Sequence, residues 1–150
     1  MTPIKIAFGS DHCGYEPPAP FYKPQLIEYI ESLGHEVVDC GTFDAVSVDY
    51  PDYADKVVEA MRDGLADRGV LLCGTGMGIS VAANRHPGIR ATVCVNEEMV
   101  ELAREHNDSN VLCLGRRILS VEEARHLIKV WLETPFSGGE RHQRRINKLG

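Results

Sequence analysis

Leu71-Leu72-Cys73-Gly74-Thr75-Gly76-Met77-Gly78-Ile79-Ser80 passes from an apolar run into a glycine loop and then into a helix start. Residues 69–73 have the continuous apolar character of a strand buried on both faces. Glycines at 74, 76 and 78 let the backbone approach a ligand closely, and residues 78–84 resume at helical spacing. A strand that breaks at glycines and continues as a helix is the unit of an α/β sheet. The rest of the chain repeats that unit. Strand-like runs cover residues 4–8, 35–39, 89–95 and 111–114, and helical stretches cover 25–33, 53–65, 97–105, 121–133 and 141–148.

Local signals support these boundaries. Gly34 closes the first helix as a left-handed cap. In 53–65 the apolar residues Ala54, Val57, Val58, Met61 and Leu65 share one face. Ser120 opens 121–133, with Glu123 completing a capping box. The Gly138-Gly139 break precedes a short C-terminal helix. The expected fold is therefore α/β: one domain over residues 1–150, built on a five-stranded parallel sheet with helices on both faces. Ligands of such sheets bind off the carboxyl ends of the strands. Three polar segments, 9–12, 73–80 and 106–110, are expected to share that edge. Residues 16–24 carry Pro17, Pro18, Pro20 and Pro24, so they read as a rigid loop that delays the first helix to Gln25.

Bulk properties narrow the class. At 150 residues the chain can bury a full core without a staple. Its net charge of −6 argues against general nucleic-acid affinity. No apolar run approaches the ~20 residues of a membrane span, and the N-terminus reads directly as a strand, without a signal peptide. Five cysteines, with no CxxC pair, suggest a reducing compartment, the cytoplasm. Cys40, Cys94 and Cys113 read as small buried hydrophobes, and His35, His86 and His126 as surface residues.

The glycine segment carries the chemistry. Successive amides can point at one anionic centre, and the same setting favours the thiolate form of Cys73. Thr75 adds a hydroxyl that donates and accepts. A thiolate beside an array of amides suits a reaction that passes through an enediolate. Alone, the segment fits a tight structural turn about as well. A dinucleotide site is the other rival: it needs G-x-G-x-x-G, and Ile79 stands where the third glycine belongs, although Glu97 and Glu98 lie where a ribose-binding acid would.

Taken in order, further segments join this one: Gly9-Ser10-Asp11-His12, Asp49-Tyr50-Pro51, Ala82-Ala83-Asn84, Gly88-Ile89-Arg90-Ala91, His106-Asn107-Asp108-Ser109-Asn110, Gly115-Arg116-Arg117, and Gly138-Gly139 followed by Arg141-His142-Gln143 and Arg145. The whole resembles the type B ribose-5-phosphate isomerase family, which includes galactose-6-phosphate isomerases. The resemblance implies a metal-free, cofactor-independent aldose–ketose isomerase with a three-layer Rossmann-like fold. It also implies a homodimer with active sites at the subunit interface, sometimes paired into tetramers. Carried over by position, Cys73 would be the base that moves a proton between C1 and C2. Thr75 and the amides of Gly74, Gly76, Gly78 and Ser80 would hold the enediolate. His106 would open the furanose ring as acid–base, and Asn107 would support the oxyanion. Asp11 and Tyr50 would contact the sugar, and His12, Arg117, Arg141 and Arg145 the phosphate. Part of the family uses a carboxylate near the helix start instead of the cysteine. Here that neighbourhood has Ile79 and no acid, so the chain groups with the cysteine type.

Each residue also has a plainer reading. His106 can be a solvated helix-end histidine. Arg141 and Arg145 share one helical face and can be a solvated stripe, although two guanidiniums there also suit a phosphate dianion. Two features depart from the family: the proline-rich 16–24 stretch, and Cys13 beside Asp11 and His12. The chemistry points to ribose 5-phosphate and ribulose 5-phosphate as the simplest substrate pair. A tetrose or hexose phosphate, or a non-catalytic sugar-phosphate or nucleotide-binding domain, remains the alternative.

Overall fold

A computed structural model of the chain describes residues 2–150. Strands β1 (Lys5–Ser10), β2 (Glu36–Asp39), β3 (Arg68–Cys73), β4 (Ala91–Val93) and β5 (Val111–Gly115) form one parallel sheet. Their order across it is β2-β1-β3-β5-β4. The helices are α1 (Tyr22–Ser32), α2 (Tyr50–Arg62), α3 (Met77–Ala83), α4 (Glu97–Asn107), α5 (Val121–Glu133) and α6 (Glu140–Ile146).

The two-residue period of a strand divides the core. Ile6, Phe8, Val70, Leu72, Leu112 and Leu114 face one way, against Leu26 and Ile30 of α1, Val100 of α4, and Ile128 and Trp131 of α5. Ala7, Leu71, Cys73, Val111 and Cys113 face the other way, against Ala54 and Val57 of α2 and Ile79 and Ala83 of α3. The sheet is thus covered on both faces, as continuous apolar strands require. Trp131 is fully buried, and its indole N–H donates to Ser109 Oγ at 3.3 Å.

The connection after β1 crosses one face through α1, and the one after β3 crosses the other through α3. These strands are neighbours, so the chain leaves their carboxyl ends in opposite directions and opens a crevice. That crevice holds the glycine loop.

Several local expectations hold. Gly34 has φ +95° after α1, and the Ser120–Glu123 capping box is formed in both directions. Others shift. α1 starts at Tyr22, so Pro24 sits inside its first turn, where the missing N–H has no intrahelical partner to lose. A 3-10 turn over His12–Tyr15 precedes it, with Asp11 capping through the Cys13 amide. The strand expected over 89–95 is only Ala91–Val93, at the sheet edge. The three histidines read as surface all have partners. His35 is buried and accepts from the Ile4 amide at 3.1 Å, while His86 and His126 approach Asp55 and Glu97 at 2.7 and 3.4 Å.

Candidate active site

At the carboxyl ends of β1 and β3 lies a cleft of about 300 Å³, lined by Asp11, His12, Cys13, Tyr50, Cys73, Gly74, Thr75, Gly78 and Arg117. The strands bring the segments around Asp11 and Cys73 together directly: the Asp11 amide donates to the Leu72 carbonyl at 3.2 Å. The β5–α5 loop is tied to the same edge, with the Arg116 and Arg117 amides donating to the Cys73 and Gly74 carbonyls, each at 2.9 Å.

Cys73 ends β3 and faces the cleft, and the Gly76 amide donates to its Sγ at 3.2 Å. Gly76 is the only residue type that fits. Its φ is +80°, and a Cβ there would stand 3.0 to 3.3 Å from the backbone of Leu114. Thr75 Oγ1 accepts from the Met77 amide at 3.2 Å, which leaves the hydroxyl proton free to donate. Gly78 admits the Tyr50 ring, because a Cβ at 78 would lie 2.7 Å from Tyr50 Cζ. Ser80 is not a cleft donor. Its amide closes the first turn of α3 onto Gly76 O at 3.2 Å, and its hydroxyl bonds Met77 O at 2.6 Å, so both donors are committed within the helix.

His12 is oriented by its surroundings. Nδ1 accepts from the Val48 amide at 3.2 Å, so the neutral ring carries its proton on Nε2. The segment that supplies Val48 is anchored by Lys23, which is fully buried, pairs with Asp39 and donates to the Thr42 carbonyl at 2.6 Å. Burial pushes the Lys23 ammonium down, and the Asp39 carboxylate opposes that shift. No sequence signal marked this lysine, since a lysine in the first turn of a helix ordinarily faces water. Arg117 reaches back to Glu16 in the proline-rich stretch at 3.2 Å, so that stretch does border the cleft.

Asp11, His12 and Cys13 each offer one donor atom within 4.8 Å of the others. Asp11 Oδ1 and His12 Nδ1 are already accepting backbone N–H groups. Burial, then the Glu16 and Asp11 carboxylates, push the Cys13 thiol up to about 12, so it keeps its proton and is a poor metal ligand. Cys13 and Cys73 share the cleft as free thiols.

His106 and Asn107 are not in this cleft, and the expectation that 106–110 shares its edge is overturned. α4 runs back from the carboxyl edge to the amino edge, and both residues lie in its last turn. Just beyond them Asn110 takes the Gly69 amide on its carbonyl at 2.9 Å and the Arg90 amide on Oδ1 at 2.7 Å, at the starts of β3 and β4. Arg90 Nε donates to the Asn107 carbonyl at 3.0 Å. α6 packs on α4, so Arg141 and Arg145 belong to the same second patch, where the His106 ring stacks on His142. Five strand residues at ~3.3 Å each separate the patches by roughly 15 Å along the sheet.

A sequence profile described as Ribose/Galactose Isomerase matches residues 6–149. The chain belongs to this family. It is 43% identical to ribose-5-phosphate isomerase B of Escherichia coli K12, over 97% of this chain and 93% of that one. It is similar in structure to a ribose 5-phosphate isomerase of Thermotoga maritima, with a TM-score of 0.90, 48% identity and 97% of each chain covered. The type B ribose 5-phosphate isomerase of Leishmania infantum superposes with a TM-score of 0.92 at 37% identity, covering 99% of this chain and 95% of that one. Among the described residues no helix is long and apolar enough to cross a membrane.

Proposed function

We propose that this family member is an aldose–ketose isomerase that interconverts ribose 5-phosphate and ribulose 5-phosphate, with Cys73 as the base. The observation that carries the reading is the Cys73 Sγ at the end of β3, facing a cleft and receiving the Gly76 amide, with the Thr75 hydroxyl beside it. The Cys73 thiolate takes the C2 proton, leaving a cis-enediolate, and returns it to C1, while a proton moves from O2 to O1. Thr75 and the Gly74 and Gly78 backbone face the place where the oxyanion develops. Asp11 and Tyr50 border the sugar hydroxyls, and His12, through Nε2–H, and Arg117 lie where the phosphate enters. No step calls on a cofactor.

The furanose must open first. His106 does this by taking the O1 proton and returning a proton to O4 as the C1–O4 bond breaks. Within one chain His106, Asn107, Arg141 and Arg145 stand too far from Cys73 to meet the same five-carbon sugar. A homodimer in which each subunit lends this patch to the other's cleft removes the conflict. Met77 and Val81 of α3, 59% and 65% exposed beside the cleft, offer an apolar face for the second copy. The free cysteines fit a cytoplasmic location.

The test is a turnover screen over four-, five- and six-carbon aldose phosphates, with free ribose as control. Ribose 5-phosphate should give the highest kcat/KM and free ribose almost none. A preference for the unphosphorylated sugar removes the phosphate roles, and binding without turnover of any sugar removes the enzyme reading.

A further inference from the structure

His106 is not held by its own helix alone. Its ring lies on that of His142 in α6, with centroids 4.1 Å apart and planes at 12°. His142 is hemmed in turn by Gly139, where an added Cβ would sit 3.0 Å from its Cδ2, and its Nε2 accepts from Arg141 Nε at 3.4 Å. α6 is seated on α4 just beside the stack, because the Ser137 amide and hydroxyl both reach the Glu105 carbonyl, at 3.2 and 2.7 Å.

We propose that His142 is a positioning residue for ring opening, holding the His106 imidazole at a fixed angle by face-to-face stacking and coupling it to the arginine-bearing helix α6. The proposal rests on the reading that His106 opens the sugar ring. A half-exposed imidazole at a helix end otherwise samples several rotamers, and a general acid–base must stay within hydrogen-bond reach of its proton. Stacking supplies the restraint without using either ring nitrogen of His106. A partner for an acid–base group must also tolerate both of its charge states. Desolvation, then His106 and the Arg141 and Arg145 guanidiniums, hold His142 below the usual imidazole range. It is therefore neutral at neutral pH and lies beside His106 without repulsion whether His106 carries a proton or not. Sequence reading gave His142 no role, because its contact is with a residue 36 positions away on another helix.

Two reactions of the whole enzyme separate this role from simple structural support. Ribose 5-phosphate is a furanose and must be opened. Ribulose 5-phosphate has its O5 blocked by phosphate, stays acyclic, and exchanges its C1 hydrogen with solvent deuterium without any ring step. At saturating substrate, His142→Ala should lower kcat on ribose 5-phosphate by about ten-fold or more, since small misplacements of a catalytic group cost up to ~100-fold. Its C1 exchange should stay within about two-fold of wild type. His142→Phe, which restores a flat ring and no titratable proton, should recover most of the lost turnover, and His106→Asn should lower kcat on ribose 5-phosphate at least as far as His142→Ala. An equal loss in both reactions, an unchanged kcat, or a His142→Phe enzyme as poor as His142→Ala would each overturn the proposal. Failure of the underlying isomerase reading shows separately and earlier, as wild-type enzyme that gives no C1 exchange at all.

Discussion

Replacing Gly76 with alanine should damage the active-site loop far more than the same change at another left-handed glycine. Gly76 has φ +80° and Gly64 has φ +74°. Either alanine incurs the left-handed strain of about 1–2 kcal/mol. At Gly64 nothing lies within 4 Å of the added Cβ, so the cost ends there. At Gly76 the Cβ meets the Leu114 carbonyl carbon, oxygen and amide nitrogen at 3.0, 3.1 and 3.3 Å. That backbone cannot yield, because Leu114 is paired with Leu72 in the central ladder. Overpacking of this kind adds roughly 1–3 kcal/mol, for a total of about 2–5 kcal/mol. At ~2–4 °C per kcal/mol for a chain of this size, Gly76→Ala should melt on the order of 10 °C below wild type, and Gly64→Ala only a few degrees below. The loop must also shift, which withdraws the Gly76 amide from Cys73 Sγ and should lower kcat by ~100-fold. The assays are thermal unfolding of both variants and turnover of ribose 5-phosphate at a temperature where both remain folded. Equal melting temperatures with full activity in Gly76→Ala would mean that the close approach to Leu114 is not a constraint.

Other consequences follow from groups outside the loop. Lys23→Met leaves Asp39 without its cation and the Thr42 carbonyl without its donor. Breaking one side of a buried pair costs ~3–5 kcal/mol, and Asp39 at 33% side-chain exposure brings the expected loss towards about 2–4 kcal/mol, measurable by urea unfolding. Because that segment carries Val48, KM for the sugar phosphate should rise as His12 loses its fixed tautomer. His35 is held below the usual imidazole range by burial and then by nearby positive charge, including Arg68. The unfolded chain therefore binds the proton first: stability is full above pH ~6.5, falls as pH drops through it, and levels off below the lowered folded value. Unfolding free energies between pH 8 and 5 should fall less steeply in His35→Gln, by at most about 1.4 kcal/mol per pH unit, and identical slopes would remove His35 as the source.

Much of this was legible in the chain because it depends on local periodicity. The alternation of Ile6, Ala7 and Phe8 fixes two sheet faces, and Ser120 with Glu123 marks a helix start. Asp11 and Cys73 could be placed together because one follows β1 and the other ends β3, and the carboxyl ends of parallel strands lie on one edge. The same rule, applied to α4, puts His106 on the opposite edge, since a helix linking parallel strands returns to the amino side. The connectivity carries that signal, while the polar character of 106–110 points the other way, towards a loop at the carboxyl edge. Ser80 has no amide to offer the cleft for a related reason: it is consumed by the first closed turn of α3. Lys23 and His35 were not legible at all. Their partners, Asp39, Thr42 and Ile4, are set by how β2 and the loop after it lie on the first strand and helix, which no window of sequence contains.

Cys73 is the group expected to carry the proton between C1 and C2. The direct measurement is solvent-deuterium incorporation at C2 of ribose 5-phosphate by wild type and by Cys73→Ala, with circular dichroism to show that both are folded. Wild type should incorporate deuterium, and Cys73→Ala should remain folded and incorporate none above the uncatalysed background. Incorporation by Cys73→Ala at the wild-type rate would mean that another base in the cleft moves the proton.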